Sequence, residues 1–200
     1  MDYLNDGSIR AILKQNLNKA FSHQTGAMIV EELGLRHGVA RIDVAVIDSK
    51  LRGFEIKSDR DSLDRLTHQM QVYNAVLDRI TLVSGHRLLD RVFTRVPIWW
   101  GIQLAEVGVD GIVRLADIRE AQDNPLRDVL AVTKLLWKDE ALLLLQEIHA
   151  ADGLLYKPRA IIYQQLAQKA DPVWLCGRIR QQLRCRKEWR VAARQRSRDD

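Results

Sequence analysis

The sequence predicts a mixed α/β fold: a β-sheet flanked by helices, followed by a helical C-terminal module. Three observations carry that expectation. Short strand-like segments at 41–47, 52–58, 80–83 and 98–104 alternate with segments of helical apolar spacing. Beyond about residue 126 only helical patterns remain. The composition, 46% apolar and 28% charged over 200 residues, is that of a globular protein with a core of ordinary size. The expected division is a domain over 1–120 and a helical module over 127–200.

In chain order, residues 8–20 have helical spacing through Ile9, Ile12, Leu13, Leu17 and Phe21, with Ser8 as a candidate N-cap. A second helix is expected over 25–33, with Met28, Ile29 and Leu33 apolar and Glu31 and Glu32 near its end. Gly34 and Gly38 punctuate the passage into the strand at 41–47. A polar turn, Asp48-Ser49-Lys50, leads into the strand at 52–58. Residues 61–78 form the clearest helix, with Leu63, Leu66, Met70, Tyr73 and Leu77 as a core-facing stripe and Asp59 or Asp61 as its cap. A strand at 80–83, a helix at 86–95 stopped by Pro97, and a strand at 98–104 follow. Trp99 and Trp100 are both expected to pack. A turn at 108–111 precedes a return strand at 112–117, and 119–126 reads as a linker. Helices are expected at 127–136, 138–149, 158–169 and 172–192, with Pro158 and Pro172 in first-turn positions. Leu142 to Leu145 form an apolar run, so their helix should be buried on several sides.

The hairpin carries the chemistry. Glu55 and Lys57 are two residues apart on one strand and share a face. Centring the hairpin on Lys50 sets Asp43 opposite Lys57 and Ala45 opposite Glu55, so three charges project together. Ile42, Val44, Val46, Phe54 and Ile56 then form the apolar opposite face. Phosphodiester hydrolysis needs an activated water and charge relief on the phosphate, and carboxylates holding a divalent cation supply both. Mg²⁺ takes oxygen ligands and keeps several waters, so two or three carboxylates suffice. Asp43 and Glu55 suit that role, with Mg²⁺ or Mn²⁺ as the cofactor, Lys57 orienting or activating the water, and Glu31 or Glu32 completing the shell. Gln69 and Tyr73 lie four apart on one helix face; they place the hairpin, or Tyr73 is core with a bonded hydroxyl.

These residues resemble the PD-(D/E)xK nuclease superfamily, the restriction-endonuclease-like fold. Its Asp and (D/E)xK match Asp43 and Glu55-Ile56-Lys57. The proline of that pattern is absent, since Ile42 precedes Asp43. In RecB-type members a glutamate or histidine on the first helix and a later Q-x-x-x-Y accompany the core. Gln69 to Tyr73 matches the second, and Glu31 or Glu32 the first. The strings Gly53-Phe54-Glu55-Ile56-Lys57-Ser58, Asp61 to Leu66, Pro97-Ile98-Trp99-Trp100-Gly101, Leu135 to Glu140 and Arg186 to Arg190 also look like a bacterial family linked with phages and mobile elements. The resemblance covers about residues 25–190. It implies the fold and the metal chemistry, and no substrate.

The net charge of +5 is unevenly spread. Residues 172–198 hold nine Lys/Arg and one acid, whereas the chain before them is close to neutral. Arg178, Arg180, Arg184, Arg186 and Lys187 accompany the apolar stripe Leu175, Ile179 and Leu183, a basic amphipathic helix suited to nucleic-acid phosphates. The same helices could instead hold a protein partner or a second copy of the chain. Five scattered histidines and two cysteines without a C-x-x-C make zinc unexpected. No run approaches the ~20 apolar residues of a membrane helix, and the N-terminus lacks a signal pattern, so the expectation is a cytoplasmic protein. The expected function is a metal-dependent nuclease acting on DNA. The alternative is a catalytically inactive nucleic-acid-binding or partner-docking protein on the same fold.

Overall fold

The computed structural model describes residues 4–186. It contains one mixed six-stranded sheet in sequential order, β1 (Met28–Leu35), β2 (Ala40–Ile47), β3 (Leu51–Lys57), β4 (Arg79–Gly85), β5 (Gly101–Val107) and β6 (Val113–Arg119). The first three strands and the last pair run antiparallel, whereas β3, β4 and β5 are parallel. Helix α2 (Leu66–Val76) connects β3 to β4, and a 3₁₀ turn followed by α3 (Leu89–Arg95) connects β4 to β5.

The sheet is the middle of three layers. On one face lies α1 (Asp6–Phe21), which buries Ile9, Leu13 and Leu17 against Val44, Val46, Phe54, Ile56 and Val83. Its N-cap is Asn5, whose side chain accepts from the Ser8 amide at 2.9 Å, so the helix starts two residues before the expected 8. The other face is covered by α2 and by the C-terminal helices α4 (Val129–Thr133), α5 (Lys138–Glu147), α6 (Arg159–Lys169) and α7 (Pro172–Cys185). Those helices share one continuous core with the sheet. The segment 119–126 is tied down: the Asn124 side-chain amide donates to the carbonyls of Asn74 and Leu77, both at 2.7 Å. Leu142, Leu144 and Leu145 are buried, while Leu143 remains half exposed.

Several expectations change. The helix expected over 61–78 spans Leu66–Val76 with Arg65 at its N-cap and no side-chain cap bond; Asp61 instead accepts from the Ser58 amide and hydroxyl, and Asp59 from the Arg87 amide. Residues 25–33 do not form a helix. Met28–Leu35 is a strand, because pairing along β2 from Met28↔Ile47 to Leu35↔Ala40 overrides the helix-like spacing of Met28, Ile29 and Leu33. Glu31 and Glu32 therefore sit on a strand. The β2–β3 hairpin is centred on Ser49, with Ala45 opposite Gly53 and Val44 opposite Phe54. The Asp48 side chain accepts from the Lys50 amide at 2.7 Å and closes a three-residue turn, one residue earlier than a loop centred on Lys50. The strand expected at 98–104 starts at Gly101; Trp99 and Trp100 lie in the turn before it, which is why both can enter the same core.

The face assignment of β2 also changes. Val44 and Val46 pack toward α1, but Ile42 packs with Ala45 and Ile47 on the α2 side. Alternation slips by one between Ile42 and Val44. It slips at the same level in β1, where Val30 and Leu33 both face α2. Glu32 lies at that slip with φ +54°, a left-handed conformation costing about 1–2 kcal/mol for a residue with a Cβ. Asp43, its side chain 20% exposed, sits between the two flipped segments.

Candidate active site

Regular alternation along β3 turns Glu55 and Lys57 toward α2, while Phe54 and Ile56 pack under α1. Both charged side chains are buried, at 1% and 7% exposure. The Lys57 ammonium donates to Glu55 Oε1 at 2.7 Å. Helix α2 supplies the other partners. Gln69 and Tyr73, one turn apart, face the carboxyl group: Gln69 Nε2 donates to Oε1 at 2.7 Å, and Tyr73 Oη lies 2.7 Å from Oε2. The ring of Tyr73 stacks on Trp100, with centroids 6.3 Å apart, and Trp100 is itself pinned by an Nε1–H bond to Asn74 Oδ1 at 2.9 Å.

Burial, reinforced by the charge of Asp43, raises the Glu55 pKa above the ordinary glutamate range despite the Lys57 ammonium. Burial and then Glu55 hold the Tyr73 phenol well above its usual value. The hydrogen bonds agree with this. Tyr73 Oη also lies 2.5 Å from the Arg41 carbonyl, and a phenol has one proton. When that proton serves Arg41, the contact with Glu55 requires a proton on Glu55.

Asp43 approaches from β2. Its Oδ2 accepts the Ile56 amide of β3 at 2.7 Å, in line with the ladder but from a side chain. Its Oδ1 and its backbone carbonyl accept from Arg10 of α1, at 3.1 and 3.0 Å. Arg10 also pairs with Asp6 at 3.0 Å and with Glu32 at 3.1 Å. Burial alone would lower the guanidinium pKa, but the Asp6 and Asp43 carboxylates raise it overall. Sequence reasoning missed Arg10. Its place beside Ile9 on the edge of the α1 stripe was visible, but no local pattern pointed to Asp43, 33 residues away.

The two candidates for a third carboxylate part company. Glu31 is drawn to Lys14 at 2.6 Å and is paired with Val44, whose side chain faces α1. Glu32 joins Asp43 through their shared Arg10 and lies 3.7 Å from Arg41. Among the described residues, no three of His, Cys, Asp and Glu form a ready-made metal cluster. The residues fit a hydrated divalent cation held by two carboxylates. Glu55 Oε1 has both lone pairs engaged, whereas Oε2 and both Asp43 oxygens keep acceptor capacity. Beside them, Gln69 Oε1 is buried without a hydrogen-bond partner among the described residues, which suits a donor such as a water of a hydrated ion.

The basic helix is more engaged than an outer face would be. Arg178 pairs with Glu147 and bonds Gln181. Arg180 reaches Asp78 at 3.4 Å, and Arg184 donates to the Gly26 carbonyl at 3.3 Å. Arg186 pairs with Glu140, donates to the Leu135 carbonyl at 2.8 Å and stacks over Trp137 at 4.4 Å. Lys187 lies outside the described residues. None of the helices among the described residues is long and apolar enough to cross a membrane.

Comparison with known proteins adds family membership to this geometry. The family described as Bacteriophage P4 protein cII matches residues 2–190. Protein cII of Enterobacteria phage P4 is 34% identical over 70 residues, which cover 35% of this chain and 26% of that protein, so the match spans about a quarter of the relative's length. Among solved structures, the SPO1766 protein of unknown function from Silicibacter pomeroyi aligns with a TM-score of 0.43 and 18% identity, over 78% of this chain and 99% of that one.

Proposed function

We propose that this chain, which belongs to the bacteriophage P4 protein cII family, is a metal-dependent nuclease that hydrolyses phosphodiester bonds in DNA. One observation carries the reading: Glu55 is held by Lys57, Gln69 and Tyr73 at once, beside Asp43 from the adjacent strand. That constellation also matches the Asp…ExK…QxxxY pattern of the PD-(D/E)xK nucleases that the sequence resembles.

Asp43 and Glu55 are the residues that would hold Mg²⁺ or Mn²⁺, with Glu32 nearest to them through Arg10. The cation supplies charge relief on the phosphate and Lewis acidity toward the attacking water. The chain's own residues do the rest. Gln69 and Tyr73 fix the Glu55 carboxyl through its two different oxygens, so its orientation does not depend on a ligand. The Lys57 ammonium, now bonded to Glu55, is the group that orients the water or stabilises the charge developing on the phosphate. Arg178, Arg180 and Arg184 would contribute phosphate contacts from the basic end of the chain, with Lys187 assigned there from the sequence alone, whereas the Arg186 side chain, 8% exposed, is taken up by Glu140, the Leu135 carbonyl and Trp137. The bonds of Arg178, Arg180 and Arg184 leave further guanidinium donors.

A second reading draws on Arg10. Its guanidinium occupies Asp43 Oδ1, as the cation would, and this favours a catalytically inactive nucleic-acid-binding or partner-docking protein. One experiment separates them. The purified protein is incubated with plasmid, single-stranded DNA and RNA, with Mg²⁺, Mn²⁺ or chelator. The nuclease reading expects metal-dependent cleavage that Glu55→Ala or Lys57→Ala abolishes with the fold intact by circular dichroism. Cleavage unchanged in either variant sinks the site, and DNA binding without cleavage under any metal supports the second reading.

A further inference from the structure

We infer that a second site, at the opposite end and on the opposite face of the sheet, binds a nucleoside monophosphate, free or as the terminal nucleotide of a strand. Helix α1 ends at Phe21 and leaves uncovered the N-terminal ends of β3, β4 and β5 on its side of the sheet. There a cavity of about 370 Å³ opens, within the usual size range of small-ligand pockets. Register sets its floor: Phe54 is paired with Thr81, and Thr81 with Gly101, while Gln103 bonds Asp117 across to β6 at 2.8 Å.

The lining matches the three parts of such a ligand. For the phosphate, Arg52, Arg79 and Arg119 converge from three strands. Arg52 pairs with Asp48 and Arg79 with Asp123, each keeping further N–H donors, while Arg119 binds the Trp100 and Pro97 carbonyls, at 2.6 and 3.0 Å. No carboxylate among the described residues pairs with Arg119, so its charge is uncompensated. Asp117 and Glu120 also line the cavity; with Asp48, Asp123 and the Lys50 that shares Asp123, four cations stand against four acids, so the phosphate contact rests on the free guanidinium donors and not on a net positive field. For the base, Phe21 and Phe54 supply apolar ring surface, and Arg52 already sits over Phe21 at 5.7 Å. For an N–H on the base edge, Gln103 Oε1 is buried and has no hydrogen-bond partner among the described residues. A buried acceptor left open is costly unless a donor arrives, and an exocyclic amino group is one. Inorganic phosphate would use the arginines alone and leave the amide and the rings idle.

The test titrates the full chain, in chelator, with dAMP, deoxyadenosine, inorganic phosphate and a 5′-phosphorylated oligonucleotide, by calorimetry and by amide NMR. The expected result is one dAMP per chain, bound at least about tenfold more tightly than phosphate or deoxyadenosine, with shifts at Thr81, Gly101 and Gln103. Arg79→Gln and Gln103→Leu should each weaken dAMP about tenfold or more. Glu55→Gln should leave it unchanged, which separates this site from the hairpin site. Binding of the oligonucleotide but not of dAMP, with the same shifts, assigns the site to a strand end. Phosphate binding as tightly as dAMP, shifts elsewhere, or no binding by either nucleotide overturns the inference; the wild-type shifts decide even if a variant fails to fold.

Discussion

Replacing Glu55 with glutamine should reverse part of the pH dependence of folding. In the native state, burial and then Asp43 raise the Glu55 pKa above its ordinary 4.5. The folded chain therefore keeps a proton that the unfolded chain has released once pH passes that value. The native state binds more protons, so stability from this group is fully present below pH 4.5 and is lost as pH rises through the folded pKa. The slope in that window approaches one proton, about 1.4 kcal/mol per pH unit. For a chain of this size, that corresponds to roughly 3–5 °C in Tm per pH unit. Glu55→Gln keeps an acceptor for Lys57 or Tyr73 and does not titrate. Below the folded pKa wild-type Glu55 is neutral as well, so the variant lacks a counter-charge for Lys57 only where wild-type Glu55 ionises, an interaction already contained in the folded pKa. The informative quantity is the difference in Tm between variant and wild type, measured by differential scanning calorimetry at half-unit steps from pH 4 to 8. That difference should stay flat below about pH 4.5, rise in the variant's favour above it, and level off beyond the folded pKa. A difference that is flat throughout, or that turns against the variant with rising pH, would refute the argument. It would mean that Lys57 outweighs burial and that Glu55 is ionised in the fold.

Other perturbations test the frame around that carboxyl. Tyr73→Phe removes the hydroxyl that serves both Arg41 and Glu55 and should cost about 1–3 kcal/mol in a urea melt, whereas a loss under about 0.5 kcal/mol would mean the phenol is dispensable. Arg10→Gln removes the guanidinium from Asp43 and Glu32; Mn²⁺ should then bind more tightly in a calorimetric titration, and weaker binding would show that Arg10 organises the carboxylates instead of competing for them. Neutralising Arg178, Arg180 and Arg184 together should reduce the salt slope of DNA binding by roughly 0.9 for each phosphate that α7 no longer neutralises, and an unchanged slope would remove α7 from the interface.

The element order past β2 was legible because its signals are local. The stripe of α2, Pro97 ahead of β5, Pro172 in the first turn of α7 and Pro158, which sits one residue earlier than expected at the N-cap of α6, all act within a turn or two of chain. The partners of Glu55 were legible for the same reason, since ExK and QxxxY fix faces on one strand and one helix. What was not legible depends on distant chain. Met28–Leu35 has apolar spacing compatible with a helix, and only its pairing with β2 makes it a strand. The hairpin register turned on one Asp48 side-chain bond, which moves the loop centre from Lys50 to Ser49. The expected single apolar face of β2 failed at the level where Glu32 of the neighbouring strand adopts a left-handed conformation, which no propensity of glutamate announces.

That failure and the candidate site have one cause. Had β2 alternated without a slip, Ile42 would have joined Val44 under α1, and Asp43 would have had no reason to reach the Ile56 amide through its side chain. The slip at Glu32 and Asp43 instead opens the ladder where two acids meet. Opening it leaves carboxylates at a partly buried break in the sheet, which demands positive charge from somewhere. In this structure the charge comes from Arg10, reaching across from α1 to Asp6, Glu32 and Asp43. The Arg10→Gln titration therefore tests the kink as much as the arginine. If Mn²⁺ stabilises the variant more than the wild type, the strain at Glu32 is part of the site. If the variant gains nothing from Mn²⁺, the kink is held for Arg10 itself, and Asp43 is a structural partner of α1.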